Sequence, residues 1–216
     1  MSGRRQRRPA NERRIQILDA SRQLFAERGY DATSTRDIGE LADLNDALIY
    51  RHFTDKRAIL TAVIDQGIAA FQHMPRPDGS ASVEQLLIMI GEAFIRAATD
   101  QLPVLTILLS EHAVLSDDDR FVRFVDGAAT GLGELLASRL QGVDRACGYL
   151  LARGYFGALV SYVLLQQVLG LDRIREVDSH AYIRLLANRF AAANLGPPAE
   201  PYRANVDEVA TKGARP

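Results

Sequence analysis

The chain has a single cysteine, Cys147, among its 216 residues. One cysteine cannot form a disulfide within the chain, and it cannot by itself hold a structural zinc ion. The longest apolar run, residues 154–165, is too short to span a lipid bilayer and predicts a buried helix. No apolar segment follows the basic N-terminus, so we find no secretory signal. These absences favour a protein of the reducing cytoplasm without a membrane partner.

The sequence also lacks the common motifs of catalysis. Its four histidines form no HxxxH or HExxH pair, and neither GxSxG nor a Walker motif is present. Ser110, Glu111 and His112 are adjacent, but successive side chains on a helix point about 100° apart and cannot form a triad with one another. We therefore predict that the chain is not an enzyme and that it holds no metal ion and no cofactor.

The net charge of −1 conceals an asymmetry along the chain. Residues 1–57 carry 12 Lys and Arg against 9 Asp and Glu, whereas the rest of the chain carries 14 against 18. Six arginines and one glutamate lie within the first fourteen residues. A basic end on an acidic body is typical of binding to an anionic partner at that end, although a merely solvated tail has the same composition.

Almost every periodic segment has the helical period, which predicts an all-α fold. Residues 12–72 divide into four helices, and the middle two are very short. Residues 73–82 are rich in Pro, Gly and Ser and read as a connector. Longer helical segments fill residues 83–195 and predict a C-terminal helical bundle. Residues 1–11 and 196–216 are predicted to be flexible tails.

The two short helices form a predicted helix-turn-helix, with Ser34 and Asn45 as their N-caps. Asp43 in the turn is expected to adopt a positive φ, which Asp tolerates better than most residues. Ile49 and Phe53 lie four apart and should face the core. The outward face of the second helix then carries Asp46, Ala47, Tyr50 and Arg51, with Leu48 at its margin. An exposed helix with a small residue near its start can enter a DNA major groove.

The segments "LFAERGYDATSTRDIGELA" and "IYRHFTDKRAIL" resemble the N-terminal domain of the TetR family of bacterial transcriptional regulators. The resemblance covers about residues 12–62. This chain has Asp43-Leu44-Asn45 where the family usually has Gly-Val-Ser, so the operator sequence does not carry over. The resemblance implies phosphate contacts from Thr35, Tyr50, His52 and Lys56, and base contacts from residues 45–51. The candidate DNA-binding set is Thr33, Ser34, Thr35, Arg36, Asn45, Asp46, Ala47, Leu48, Tyr50, Arg51, His52 and Lys56.

The same resemblance implies that the C-terminal bundle dimerises and encloses a ligand pocket. Helix 144–170 is apolar nearly all round and must be covered on several faces. Its small residues permit close helix approach, and helix 178–195 carries an apolar stripe. The candidate dimer interface is Gly154, Gly157, Ala158, Ser161, Leu165, Ile183, Ala187 and Phe190. A homodimer would place two reading helices on a palindrome, because one short helix reads too few bases.

Aromatic and polar side chains at helical spacing in residues 94–156 are candidates for the lining of the pocket. They are Phe94, Leu109, His112, Phe121, Phe124, Tyr149, Arg153 and Phe156. Their composition predicts a largely apolar small-molecule effector with a few polar contacts. The predicted function is a ligand-responsive repressor that binds a palindromic DNA operator as a homodimer. The alternatives are a regulator controlled by a protein partner without a small effector, and a ligand-dependent activator.

Overall fold

The computed structural model describes residues 10–72, 80–111, 115 and 119–192. Within these ranges the chain is all-helical and contains no β-strand. The helices are α1 (Ala10–Arg28), α2 (Thr35–Leu41), α3 (Asp46–Tyr50), α4 (Lys56–Phe71), α5 (Val83–Asp100), α6 (Leu102–Ser110), α7 (Arg120–Arg139), α8 (Arg145–Val163) and α9 (Ser179–Ala191). A π-helical segment, Leu164–Val168, continues α8, and a short 3₁₀ turn follows at Leu171–Arg173.

The predicted N-terminal tail is wrong at its inner end, because residues 10 and 11 already belong to α1. Residues 1–9 and the tail 196–216 lie outside the described residues. Helices α8 and α9 each begin one residue after the predicted starts of helices 144–170 and 178–195.

Local chemistry explains the helix-turn-helix. The Ser34 hydroxyl accepts a hydrogen bond from the Asp37 amide, and the Asn45 side chain accepts one from the Leu48 amide, so α2 and α3 both begin with the predicted caps. Asp43 has φ 54°, as expected for the turn. The Asp37 carboxylate accepts a hydrogen bond from the Ser34 backbone amide, and the hydrogen bonds from Ser34 hold the pKa of Asp37 below its ordinary value.

The C-terminal bundle depends on one very close helix crossing between α7 and α8. A Cβ placed on Gly133 would lie 2.7 Å from the Tyr149 nitrogen, and one placed on Gly148 would overlap the Gly133 carbonyl oxygen. Only glycine at both positions allows the two backbones to touch. Behind this pair, α5 packs on α9, and Tyr155 of α8 is fully buried with its hydroxyl donating to the Leu87 carbonyl.

Helix α6 belongs to both parts of the molecule. Its Val104 and Ile107 are buried in the N-terminal core with residues of α1 and α4, whereas its Leu105 packs against the core of the C-terminal bundle. Residues of the predicted C-terminal range therefore contribute to the N-terminal core as well. A shift of α6 has to change packing on both sides, because interiors are close-packed.

Helix α8 is covered on several faces by the rest of the chain, but not on all of them. Together with its π-helical continuation it runs over 24 residues, Arg145–Val168, and is long and apolar enough to cross a membrane by length and composition alone. It packs against α7, α5 and α9, and Ala152, Tyr155 and Leu159 are fully buried. Only 28% of its most apolar window is buried within the chain, so the helix predicted to be buried over residues 154–165 keeps an exposed apolar outer face.

Candidate DNA-binding surface and ligand cavity

Helix α3 presents the predicted face to solvent. Ile49 is fully buried and Phe53 nearly so, which fixes the rotation of the helix about its axis. Asp46, Ala47 and Arg51 are consequently exposed, and Leu48 lies at the margin with intermediate exposure. The exposed side of α3 begins with the small side chain of Ala47, which allows the helix to lie close to the bases in a major groove.

Two hydroxyl groups lie together beside that face. The Tyr50 side chain is 55% exposed, and its hydroxyl lies 3.2 Å from the Thr35 hydroxyl at the start of α2. Donors grouped at a helix N-terminus suit a phosphate oxygen. Ser34, Arg36 and Asn45 are exposed nearby and His52 is half-buried, although the Ser34 hydroxyl and the Asn45 side chain are already used as helix caps.

The structure contradicts the DNA-binding role predicted for Thr33. Its side chain is only 1% exposed, and its hydroxyl donates to the Gly29 carbonyl at 2.8 Å. A hydroxyl that is buried and already bonded cannot reach a phosphate. Thr33 instead fixes the turn between α1 and α2. The sequence pattern did not show this, because the burial comes from α1 folding back over the turn.

Lys56 is also engaged inside the chain. Its ammonium nitrogen donates to the Tyr30 carbonyl at 2.7 Å and to the Thr33 carbonyl at 2.9 Å, and it lies 4.1 Å from the centre of the Tyr30 ring. An ammonium has three N–H groups, so at most one remains for a phosphate. The main effect of Lys56 is therefore to hold the α1–α2 turn against the start of α4.

Glu111, at the end of α6, connects the two parts of the chain at this same turn. Its carboxylate accepts a hydrogen bond from the Tyr30 amide at 2.9 Å. Gly29, with φ 84°, brings that amide into position. The Tyr30 ring packs on Phe25, with ring centres 5.5 Å apart, and burial raises the pKa of its phenol, with the Asp55 carboxylate adding to the effect. No local pattern in the sequence signals this contact of Glu111, because its partner amide lies 81 residues away in the chain.

A cavity of about 440 Å³ lies between α4, α5, α6, α7 and α8. Six of the eight predicted pocket residues line it: Phe94, Leu109, Phe121, Phe124, Arg153 and Phe156. Gly67, Ile68 and Phe71 of α4 were not predicted and also line it. The ring centres of Phe71 lie 5.5 Å from Phe94 and 5.9 Å from Phe124, so the aromatic wall is continuous across three helices.

Two predicted pocket residues are not found in the lining. Tyr149 lies elsewhere on α8, and its hydroxyl donates to the Asp126 carboxylate at 2.7 Å, so its assignment to the pocket is wrong. Tyr149 lies on the same side of α8 as Arg153 and Phe156 but one to two turns nearer the start of the helix, beside the close crossing with α7. His112 lies outside the described residues, and its predicted role stays a prediction.

The predicted dimer residues fall into two groups. Ile183 and Ala187 are buried within the chain, and Ile183 packs against α5 beside Gly91, so their assignment to a dimer interface is wrong. The apolar stripe of α9 faces its own bundle. Phe190 is half-buried with its ring centre 5.5 Å from that of Tyr155, and Ala158 is half-buried with its carbonyl bonded to the Tyr182 hydroxyl.

The second group lies on the open face of α8. Gly154, Gly157, Ser161 and Leu165 are exposed at helical spacing, and no described atom lies within 4 Å of a Cβ placed on Gly157. Four exposed apolar side chains lie on this face and its continuation: Leu150, Val160, Leu165 and Leu169. We define this surface, residues 150–169 on the outer side of α8 and its π-helical extension, as the α8 face. Small and apolar side chains without a partner are typical of a helix–helix interface between subunits.

Comparison with known families gives the N-terminal residues a clear match. Residues 17–63 match the family model described as bacterial regulatory proteins, tetR family. These residues contain α2, α3, most of α1 and the first half of α4, and they therefore include the exposed face of α3 and the Lys56 contacts.

Individual relatives extend the similarity. The HTH-type transcriptional repressor Rv3405c of Mycobacterium tuberculosis is 35% identical over 108 residues, 45% of this chain and 57% of the relative. The repressor Rv1474c of the same organism is 33% identical over 62% of this chain and 65% of the relative. The chain thus spans little more than half the length of the first curated relatives it matches. The solved structure of the fatty acid degradation regulator FadR from Bacillus halodurans has a TM-score of 0.65 at 20% identity, covering 88% of this chain and 98% of the other, and shows the same fold.

Proposed function

The chain is a member of the TetR family of bacterial regulatory proteins, and from this premise we propose that it is a cytoplasmic transcriptional repressor controlled by a small molecule. It binds a palindromic operator in double-stranded DNA as a homodimer. A largely apolar effector binds the cavity and releases the dimer. The observation that carries the proposal is that one cavity is lined by both helices, α4 and α6, that reach the helix-turn-helix.

DNA recognition is assigned to the exposed face of α3. Ala47 and Leu48 lie where base edges would be read, and the hydroxyls of Thr35 and Tyr50 lie where a phosphate would be held. Base contacts specify sequence, whereas phosphate contacts position the protein. Substitution of Ala47 should therefore change which sequences bind, and loss of the Tyr50 side chain should weaken binding to all of them.

Dimerisation is assigned to the α8 face. A soluble chain rarely exposes a long apolar helix face, and a second copy related by a two-fold axis would cover both faces at once. A stable interface buries on the order of 1,500 Å² or more in total, so residues that flank the α8 face would contribute to it as well. The two-fold symmetric dimer would hold its two α3 helices at the fixed separation that a palindromic operator requires.

Control by the effector is assigned to α4 and α6. Gly67, Ile68 and Phe71 form the C-terminal half of α4 at the cavity, and Lys56 at its other end holds the α1–α2 turn. Helix α6 contacts the cavity through Leu105 and the same turn through Glu111. An effector that binds better when these helices are displaced would shift the population away from the DNA-binding spacing. Release of most bound dimer requires a preference of about 5 kcal/mol between the two states.

The test begins with selection of the DNA fragments that the full chain binds from a bacterial genomic library. Fluorescence anisotropy on the selected fragment then measures affinity for the wild type and for Ala47→Gln and Tyr50→Phe. We expect a palindromic consensus, a changed consensus for Ala47→Gln, and a uniform loss for Tyr50→Phe. Selection of no common sequence would refute the proposal.

The presence of a cavity supports control by a small molecule over the alternative of a regulator controlled only by a protein partner. A filled core would favour that alternative, and a cavity of about 440 Å³ falls within the range of about 300–1,000 Å³ that small-molecule sites occupy. We propose that effector binding releases the protein from DNA, as in a repressor, and does not recruit it to DNA, as in a ligand-dependent activator.

A further inference from the structure

The cavity is almost uniformly apolar, but it contains one charge. Among the described residues that line it, only Gln101 and Arg153 have polar side chains, and Arg153 alone is charged. No carboxylate from the described part of the chain lines the cavity. No hydrogen bond or ion pair joins Arg153 to another described residue. Among the described residues, Arg153 is therefore a permanent cation without a counter-ion at the edge of an aromatic cavity.

The position of Arg153 decides where this charge can act. Arg153, Gly157 and Val160 line the cavity and are exposed in the single chain, so the cavity reaches the chain surface along α8, where Gly157 and Val160 belong to the α8 face assigned to the dimer. Phe94 and Phe156 lie deeper, with ring centres 5.7 Å apart. A bound molecule would thus have one end beside the guanidinium group and the other between phenyl rings. Such a gradient from charged to apolar selects an amphipathic ligand.

The sign of the ligand charge follows from the electrostatics. Phenyl faces attract cations weakly, by about 0.5–1 kcal/mol at accessible sites. A full positive charge on Arg153 at the rim opposes a cationic ligand and favours an anionic one, and its effect grows where apolar walls exclude water. A planar guanidinium also matches a carboxylate in bidentate geometry.

We propose that the effector is an apolar organic monoanion whose carboxylate pairs with Arg153 while its hydrocarbon body lies against Phe94, Phe124 and Phe156. This inference rests on the proposed function, since it names the chemistry of the effector for the same cavity. The body is either an alkyl chain or a fused aromatic ring system, and the two share the anionic head that Arg153 recognises.

The experiment compares probes that differ only in their head group. Decanoate, decanol and decyltrimethylammonium are titrated into the full chain at pH 7.5 by isothermal titration calorimetry, and 2-naphthoate serves as the aromatic carboxylate. We expect decanoate to bind about tenfold more tightly than decanol, because a hydrogen bond to a charged partner is worth at least about 1.4 kcal/mol. Decyltrimethylammonium should bind more weakly than decanol. The relative affinities of decanoate and 2-naphthoate distinguish an alkyl from an aromatic body.

Substitutions of Arg153 test whether this residue causes the preference for decanoate over decanol. Arg153→Gln should remove the preference for decanoate over decanol and leave the affinity for decanol unchanged, and Arg153→Lys should retain part of it. Arg96→Gln is the matched control, because Arg96 is exposed on α5 and does not line the cavity. It should behave as the wild type.

The outcomes separate this inference from the function on which it rests. If decanol binds as tightly as decanoate and lowers the affinity for operator DNA, the inference fails and the proposed function stands. If Arg153→Gln keeps the preference, or loses decanol binding as well, Arg153 does not select the charge and the inference fails. If none of the probes binds, both the inference and the proposed effector cavity fail.

Discussion

Replacement of Lys56 by methionine tests whether this residue stabilises the fold or only binds DNA. Methionine keeps most of the length of the side chain and removes the ammonium group. The variant loses two hydrogen bonds, to the Tyr30 carbonyl at 2.7 Å and the Thr33 carbonyl at 2.9 Å, and a cation–π contact at 4.1 Å. The structure therefore predicts a lower stability even without DNA.

The magnitude follows from these contacts. Each hydrogen bond to a charged donor contributes about 1.5 kcal/mol at the low end of its range, and the half-exposed cation–π contact adds about 0.5 kcal/mol. Release of the ordered lysine side chain returns roughly 1.5 kcal/mol of conformational entropy. The net loss is on the order of 2 kcal/mol, which lowers the Tm of a chain of this size by about 4–8 °C.

Thermal unfolding followed by circular dichroism measures this loss. Arg36→Met is the matched control, because Arg36 is exposed on α2 and its replacement should leave the Tm nearly unchanged. Anisotropy with operator DNA is measured on both variants well below the Tm. The reasoning is refuted if Lys56→Met unfolds at the wild-type temperature and only its DNA affinity falls, since Lys56 would then act mainly on phosphate.

Four further predictions concern other parts of the chain. Tyr50→Ala should weaken binding by a similar factor on all DNA sequences; a change confined to specificity would show that Tyr50 reads bases. Deletion of residues 1–9 should flatten the salt dependence of DNA affinity, because the slope of log affinity against log salt follows the number of neutralised phosphates; an unchanged slope would show that this segment does not contact DNA. Gly157→Glu should give folded monomers in sedimentation, since no described atom lies within 4 Å of its added Cβ; an intact dimer would place the interface elsewhere. Gly148→Ala should cost about 2 kcal/mol of unfolding free energy through overpacking against α7, whereas Gly127→Ala, with no described atom within 4 Å of its added Cβ, should not destabilise; equal effects in chemical denaturation would contradict the close crossing.

The coupling between the two parts of the molecule gives these experiments a common interpretation. Glu111 and Lys56 approach the same turn from α6 and α4, and both helices line the cavity. A variant of either residue that keeps DNA binding but loses the response to an effector would place the coupling at this turn. Such contacts are too small to be seen in hydrophobic patterning, because each involves one side chain and one backbone group.

Local sequence was sufficient for the helix-turn-helix. Caps at Ser34 and Asn45, the positive φ of Asp43 and the inward side of Ile49 each depend on residues within a few positions. The chemistry of a cap or a turn is complete within one helical turn, so the pattern predicts it directly. The exposed face of α3 followed from the burial of the opposite face, because the helical period fixes one once the other is known.

Only the tertiary structure decided which apolar stripe faces inward in the C-terminal bundle. In the sequence, Ile183 and Gly157 each lie on a stripe of apolar or small residues along a helix. In the structure, Ile183 is buried against α5 and Gly157 is exposed on the α8 face. Thr33 and Lys56 changed from expected DNA contacts to internal contacts for the same reason. Periodicity determines that a helix has an apolar side, but the partner of that side depends on contacts between residues far apart in the chain, which the period does not encode.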